Sequence, residues 1–214
     1  MQPLIINLTG QKIVIVGGGR IAARKAKVLE AEQVNIVFIA PEFSKEVVEL
    51  SKGKGYTLIN RKAEEKDIID AILVILATND RAANETLAKL LPSNQLVCVV
   101  DEFGEGNVTF PATVRRGYLQ LAVTSNGSSP KLTRKLKLEL ESQFDHSWET
   151  YTAFLFQCRV LIKKMCIPYE EKEERLIELL DDRYRLDERA QIEKLQQLQQ
   201  LAFSENYENE LGFI

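Results

Sequence analysis

The stretch "KIVIVGGGRIAARKAKVLEAEQVNIVFIAPE", residues 12–42, constrains the fold more than any other part of the chain. An apolar β-branched run over 12–16 leads into three glycines. Apolar and small residues at helical spacing follow over 21–32, then a second apolar run over 34–40. Apolar runs without polar alternation read as strands buried on both faces, the mark of a parallel sheet. Within this βαβ unit, Gly17-x-Gly19-x-x-Ala22 has the spacing of a dinucleotide-binding fingerprint with alanine at its third position. The first glycine permits the tight turn, the second lets the backbone approach a pyrophosphate, and Ala22 lets the helix pack close to the strand. The helix N-terminus adds N–H groups and a partial positive charge. "GGGRIAARK" lacks the GK[ST] ending of a Walker loop.

The same grammar continues to Asp101. "SKEVVELSKGKG" (44–55) predicts a helix capped by Ser44 and ended by Gly53 or Gly55. "YTLIN" (56–60) and "AILVILATND" (71–80) predict strands, and "RAANETLAKLL" (81–91) a helix stopped by Pro92. "QLVCVVD" (95–101) predicts a further buried strand. The expectation for residues 1–112 is an α/β, Rossmann-like doubly wound parallel sheet. "VTFPATVRRGYLQLAVTSNG" then resembles a hairpin around Arg116-Gly117, and "SSPKLTRKLKLELESQF" a helix with Ser129 as cap and Pro130 at its first position. Residues 113–145 thus read as a small α+β region. Residues 146–214 read as a helical region: "WETYTAFLFQCRVLIKKM" (148–165), then two charged helices in "EEKEERLIELLDD" and "LDERAQIEKLQQLQQLAF".

Composition narrows the function classes. A 45% hydrophobic and 28% charged chain of 214 residues is ordinary for a soluble globular protein. A net charge of -3 is too mild for a nucleic-acid binder. No apolar run approaches the ~20 residues of a membrane span, and "MQPLIINLTGQK" lacks the basic-then-apolar pattern of a secretory signal. Three cysteines without a CxxC pair point to a reducing compartment, hence the cytoplasm. Cys98 sits in "LVCVV" and reads as core. A single histidine, His146, excludes a His-rich metal site.

Several residues are candidates for chemistry. Glu42 ends the second strand segment, where a carboxylate bonds the ribose of NAD; a surface glutamate is the competing reading. No arginine follows it to clamp a 2′-phosphate, although Lys45 is near, so NAD is favoured over NADP. Thr78 and Asn79 are candidate lining of the cofactor cleft, and Asp80 is a candidate helix cap. Asp101 ends the last apolar run, at the sheet edge where ligands of open α/β sheets bind. It either accepts a proton there or caps the loop that follows. Arg115 and Arg116, at a turn, are candidates for docking an anionic substrate. Lys131 and Lys135 fit a solvated helix face better.

"GGGRIAARKAKVL", "VFIAPEFS", "LVILATNDRAANETL" and "CVVDEFGEGNVTFPATVRRGYLQLAVTSNGSSPKLTRKLKLELE" occur in an order and spacing that resemble the precorrin-2 dehydrogenase family, over residues 1 to about 165. The resemblance implies NAD-dependent oxidation of precorrin-2 to sirohydrochlorin for sirohaem. It implies a homodimer joined through a central dimerisation region, with the active site in a cleft near the partner subunit. It carries Arg20 and Ile21 over as turn residues against the cofactor, Pro41 and Glu42 as the ribose-side pair, Asp101 as the catalytic aspartate, and Ser125 as a serine that can be modified in a fused relative. "TSNGSSP" departs from the family's pattern by placing Asn126 where a glycine is usual. Two rival functions stay open: a bifunctional enzyme that also inserts ferrous iron, and a nucleotide-sensing module without chemistry.

Overall fold

The computed structural model describes residues 1–100 and 105–211, with side chains as far as 203. Asp101 therefore lies outside the described residues. The chain divides into two compact units, Met1–Phe110 and Pro111–Ile214.

In the first unit, β1 (Lys12–Val16), β2 (Asn35–Ile39), β3 (Thr57–Ile59), β4 (Leu73–Leu76) and β5 (Leu96–Val99) form one sheet in the order β3-β2-β1-β4-β5. All four pairings are parallel, with Ile13 beside Ile36 on one side and beside Leu73 on the other. The crossovers are α1 (Arg20–Leu29), α2 (Lys45–Lys54), α3 (Glu65–Ile68) and α4 (Arg81–Leu90). Successive strand residues point to opposite faces. Ile13, Ile15, Ile36, Phe38 and Ile75 accordingly share one core with Ala22, Ala23 and Ala26 of α1 and Val47 of α2. Val14, Val16, Ile39, Val74 and Leu76 share the other with Ile68 of α3 and the half-buried Leu87 of α4. Both faces are dry, which is why these strands read as unbroken apolar runs. The strand order reverses between β1 and β4, and this is the switch point at which such sheets bind ligands.

Helix ends follow local chemistry. Ser44 Oγ accepts the Val47 amide at the start of α2, and Gly55, at φ 72°, ends it. Asp80 Oδ1 accepts the Ala83 amide at 3.0 Å to start α4. The helix expected over 21–32 stays α-helical only to Leu29, then tightens into a 3₁₀ turn over Glu30–Glu32. The sequence gives no periodic signal for α3, whose four residues are held by a capping box between Glu64 and Asp67. Arg61 grips the same carboxylate in a bidentate pair at 2.7 and 2.6 Å.

That pair carries a pH dependence. The hydrogen bonds from Arg61 hold the Asp67 carboxyl at about 2, below its ordinary value of 3.8. A depressed carboxyl stabilises the fold above its unfolded pKa, and the contribution is lost as pH falls from near 4 through about 2. Arg61 is 38% exposed, so solvent screening keeps the gain small. Thermal melts of Asp67→Asn are expected to lie below wild type at pH 7 and to converge with it toward pH 2.

The free edge of β5 is covered rather than left open. The Asn107 side chain accepts the Val97 amide and donates to the Gln95 carbonyl, both at 2.7 Å. The backbone amides of Asn107 and Val108 donate to the Val97 carbonyl. A side chain at Gly106 would collide with that carbonyl, so the segment Gly106–Val108 lies close against β5 and covers an aggregation-prone edge.

In the second unit, β6 (Ala112–Arg116) and β7 (Leu119–Val123) form an antiparallel hairpin that packs against α5 (Pro130–Gln143). Gly117 turns it at φ 58°, against Thr152, whose hydroxyl donates to the Arg116 carbonyl and accepts the Tyr118 amide. Thr152 lies on α6 (Ser147–Lys164), which is followed by α7 (Tyr169–Glu178), α8 (Asp182–Leu186) and α9 (Glu188–Leu211). Tyr151, Phe154, Cys158 and Ile162 of α6 form a core with Leu179, Tyr184 and Leu198. Burial pushes the Cys158 thiol up to about 12. Two charged helices were expected after Pro168, and three are present among the described residues. Asp181 accepts the Arg183 amide and starts α8 as a separate helix.

Candidate cofactor cleft

A cleft of about 860 Å³ opens beyond the carboxyl ends of β1, β2 and β4, within the ~300–1,000 Å³ usual for ligand sites. Its floor is the glycine loop. Gly17 has φ 135°, and a methyl group there would strike the Ala77 carbonyl at the end of β4. Its N–H donates to the Ile39 carbonyl at 2.9 Å, so the loop is pinned to β2. Gly18 is as tightly placed: a methyl group would overlap the Glu42 carbonyl oxygen, and its own carbonyl accepts the Ser44 amide at 2.8 Å. The two-glycine fingerprint misses this middle glycine, which is required by the β2–α2 loop rather than by a ligand. Gly19 is different. No atom lies within 4 Å of where its Cβ would stand, and it occupies the N-cap of α1 without a side chain to cap the helix. The N-terminus of α1 thus begins at a cleft-lining residue beside open space, as a bound pyrophosphate requires.

Gly17, Gly19, Pro41, Glu42, Thr78 and Asn79, six of the sequence candidates, line this one cleft. The exposed Lys62 lines it too and was not singled out from sequence. Ile21 lines an adjoining hollow of about 290 Å³, with Thr78, Asn79, Arg81 and Val100. Arg20, at the first position of α1, is exposed and lines neither. The Thr78 hydroxyl lies 2.6 Å from the buried Asn84 Oδ1, and Asn84 Nδ2 donates back to the Thr78 carbonyl. This fixes the wall between cleft and hollow. Glu42 stands three residues past β2, yet its segment is held from the β3 side. Asn60 Nδ2 donates to the Pro41 carbonyl at 2.7 Å, and the Ala40 amide donates to the Ile59 carbonyl.

The remaining candidates belong to the second unit. Arg115 is exposed. Arg116 lies on the opposite face of the hairpin by strand alternation, and its guanidinium donates to the Arg115 and Glu141 carbonyls. Ser125 Oγ accepts the Ser129 amide and the Thr133 hydroxyl, each at 3.0 Å, which leaves its own proton to donate. Asn126 has φ 48°, a left-handed conformation that asparagine tolerates, so the departure from glycine at this position is accommodated.

Comparison with known proteins agrees along most of the chain. The family model described as "Putative NAD(P)-binding" matches residues 4–112. Precorrin-2 dehydrogenase of Priestia megaterium is 38% identical over 200 residues, covering 93% of this chain and 98% of that protein. The chain belongs to the precorrin-2 dehydrogenase family. The family's member from Bacillus subtilis (strain 168) is 32% identical over 159 residues, covering 74% of this chain and 98% of its own length. A solved structure titled "SirC, precorrin-2 dehydrogenase" superposes with a TM-score of 0.81 at 36% identity, covering 94% of this chain and all of that one. "Sirohaem biosynthesis protein central" matches residues 116–143, and "SirC C-terminal domain" matches residues 148–194. Among the described residues, no helix is long and apolar enough to cross a membrane.

Proposed function

We propose that this chain is an NAD-dependent oxidoreductase of the cytoplasm that converts precorrin-2 to sirohydrochlorin in sirohaem biosynthesis. The observation that carries the proposal is the glycine-floored cleft at the sheet's switch point, in a chain that aligns almost end to end with a precorrin-2 dehydrogenase. The cleft suits NAD: Gly19 leaves room for a pyrophosphate against the α1 amides, and the ribose-side wall carries the Glu42 carboxylate. When bound, NAD supplies the hydride acceptor. Gly17 and Gly19 shape the floor, Arg20 and Ile21 follow them along the cofactor, Pro41 and Glu42 hold the ribose, and Thr78 walls the nicotinamide side. Asp101 accepts the proton that leaves the macrocycle. Arg115, Arg116 and Ser125 dock the substrate's carboxylates. Fluorescence titration with NADH tests the cleft reading. Saturable binding is expected, and a chain that binds neither NADH nor NADPH contradicts it.

Glu42 sets the choice of cofactor, because a carboxylate bonds ribose hydroxyls and repels a 2′-phosphate. Glu42→Ala is expected to weaken NADH binding by about 10- to 100-fold, in line with a lost charge-assisted hydrogen bond of ~1.5–3 kcal/mol, and to narrow the preference over NADPH. Equal wild-type affinity for the two cofactors would remove Glu42 from the ribose.

The protein is a homodimer joined through residues 113–145. A two-stranded hairpin is marginal alone, and α5 buries none of its residues, with Leu132 and Leu138 among its exposed side chains. A partner covering this apolar surface stabilises both copies. Sedimentation at micromolar concentration is expected to show a dimer, and Leu132→Glu combined with Leu138→Glu to shift it toward monomer.

A further inference from the structure

We infer that Asn60, just past β3, is a positioning residue for cofactor selection, acting through Glu42; the inference rests on the cofactor reading above. Glu42 comes late for a ribose carboxylate, three residues beyond the end of β2, where a chain is free to diverge from its strand. It does not diverge, because the segment is clasped from two directions. The glycine loop holds it from below: the Ser44 amide donates to the Gly18 carbonyl, and the Glu42 carbonyl lies where only a glycine fits opposite. From the β3 side the backbone offers a single bond, the Ala40 amide to the Ile59 carbonyl at 3.2 Å, and this stops short of Glu42. The Asn60 side chain extends the clasp by one peptide. Its amide donates to the Pro41 carbonyl at 2.7 Å, the carbonyl of the peptide that leads into Glu42. Pro41 has no amide proton of its own to continue the ladder, and the next amide on the β3 side, that of Arg61, donates to the Ile59 carbonyl, so the Asn60 side chain is the donor that reaches this peptide. Asn60 does not line the cleft, so it meets no cofactor itself.

The consequence is coupling. Without Asn60, the peptide before Glu42 rotates, the carboxylate spreads over several positions, and both of its effects fade together: the bond to ribose and the repulsion of a 2′-phosphate. Asn60 is exposed, so its loss leaves the fold in place.

Fluorescence titrations with NADH and NADPH on wild type, Asn60→Ala, Glu42→Ala and the double variant test this. Asn60→Ala is expected to weaken NADH about 3–10-fold, as the loss of one hydrogen bond does, to leave NADPH unchanged or tighter, and to melt close to wild type. In the Glu42→Ala background it is expected to change neither affinity, since the carboxylate it positions is gone. Equal weakening of NADH and NADPH, or losses that add in the double variant, overturns the role of Asn60 while leaving the cleft as the cofactor site. A wild-type chain that binds neither nucleotide overturns the cleft reading and the inference with it.

Discussion

Asp101→Asn is expected to lower precorrin-2 turnover by about 10²–10⁴-fold, the usual contribution of a general base, with NADH affinity nearly unchanged. The expectation follows from the proposed role of Asp101 and from the course of the chain that precedes it. β5 is buried from Val97 to Val99, and the Val100 amide still donates to the Leu76 carbonyl at 3.0 Å, so the strand's course is fixed up to the preceding residue. Val100 itself lines the hollow beside Thr78 and Asn79. Oxidation of the macrocycle removes a hydride and a proton; in the proposed reading Asp101 accepts the proton while the cofactor takes the hydride. Asparagine keeps the shape and abolishes the acceptor. A residue that only capped the following loop would show a different signature: a lower melting temperature, and activity that recovers in proportion to folded protein. If water takes the proton, the variant is folded and almost fully active. Single-turnover absorbance on protein checked for fold and NADH affinity separates the three.

The three glycines are expected to give opposite readouts to the same added methyl group. Gly17→Ala forces a left-handed backbone onto an L side chain and drives the methyl into the Ala77 carbonyl. Gly18→Ala drives it into the Glu42 carbonyl. Backbone cannot yield as a flexible side chain does, so each is expected to destabilise the first unit by about 1–3 kcal/mol or more and to lose cofactor as a consequence. Gly19→Ala meets no protein atom and sits at φ -93°, which alanine adopts freely. It is expected to melt like wild type, yet to bind NADH at least about 10-fold more weakly, because the methyl occupies the space a pyrophosphate needs. Thermal melts beside NADH titrations distinguish the cases. A Gly19→Ala protein of normal affinity would place the pyrophosphate elsewhere.

Much of this architecture is legible in the amino-acid sequence. Unbroken apolar runs such as "KIVIV" and "LVILA" betray strands dry on both faces, and Ser44, Asp80, Ser129 and Pro130 mark helix starts because their chemistry is local. The cleft-lining roles of Gly17, Gly19, Pro41, Glu42 and Thr78 follow from strand ends and are found there together. What the sequence hides is what depends on distant pairing. α3 is a single turn, too short for a period, and exists because Arg61 and Glu64 meet Asp67. Gly18 is required by the carbonyl of Glu42, 24 residues later, and no fingerprint spacing encodes that. Asn60 is one asparagine after a three-residue strand, and its bond to Pro41 spans 19 positions. Arg115 and Arg116 look equivalent in sequence, but strand alternation sends them to opposite faces, and Arg116 folds back onto the end of α5.

Oxidation of precorrin-2 by NAD is decided by one mixture: purified protein, precorrin-2 and NAD, followed at the nicotinamide band and in the visible spectrum. NADH and sirohydrochlorin are expected to appear together, one for one, at a rate that falls steeply in Asp101→Asn. NAD binding without NADH formation, under conditions where precorrin-2 remains intact, would contradict this and leave a nucleotide-binding module without chemistry.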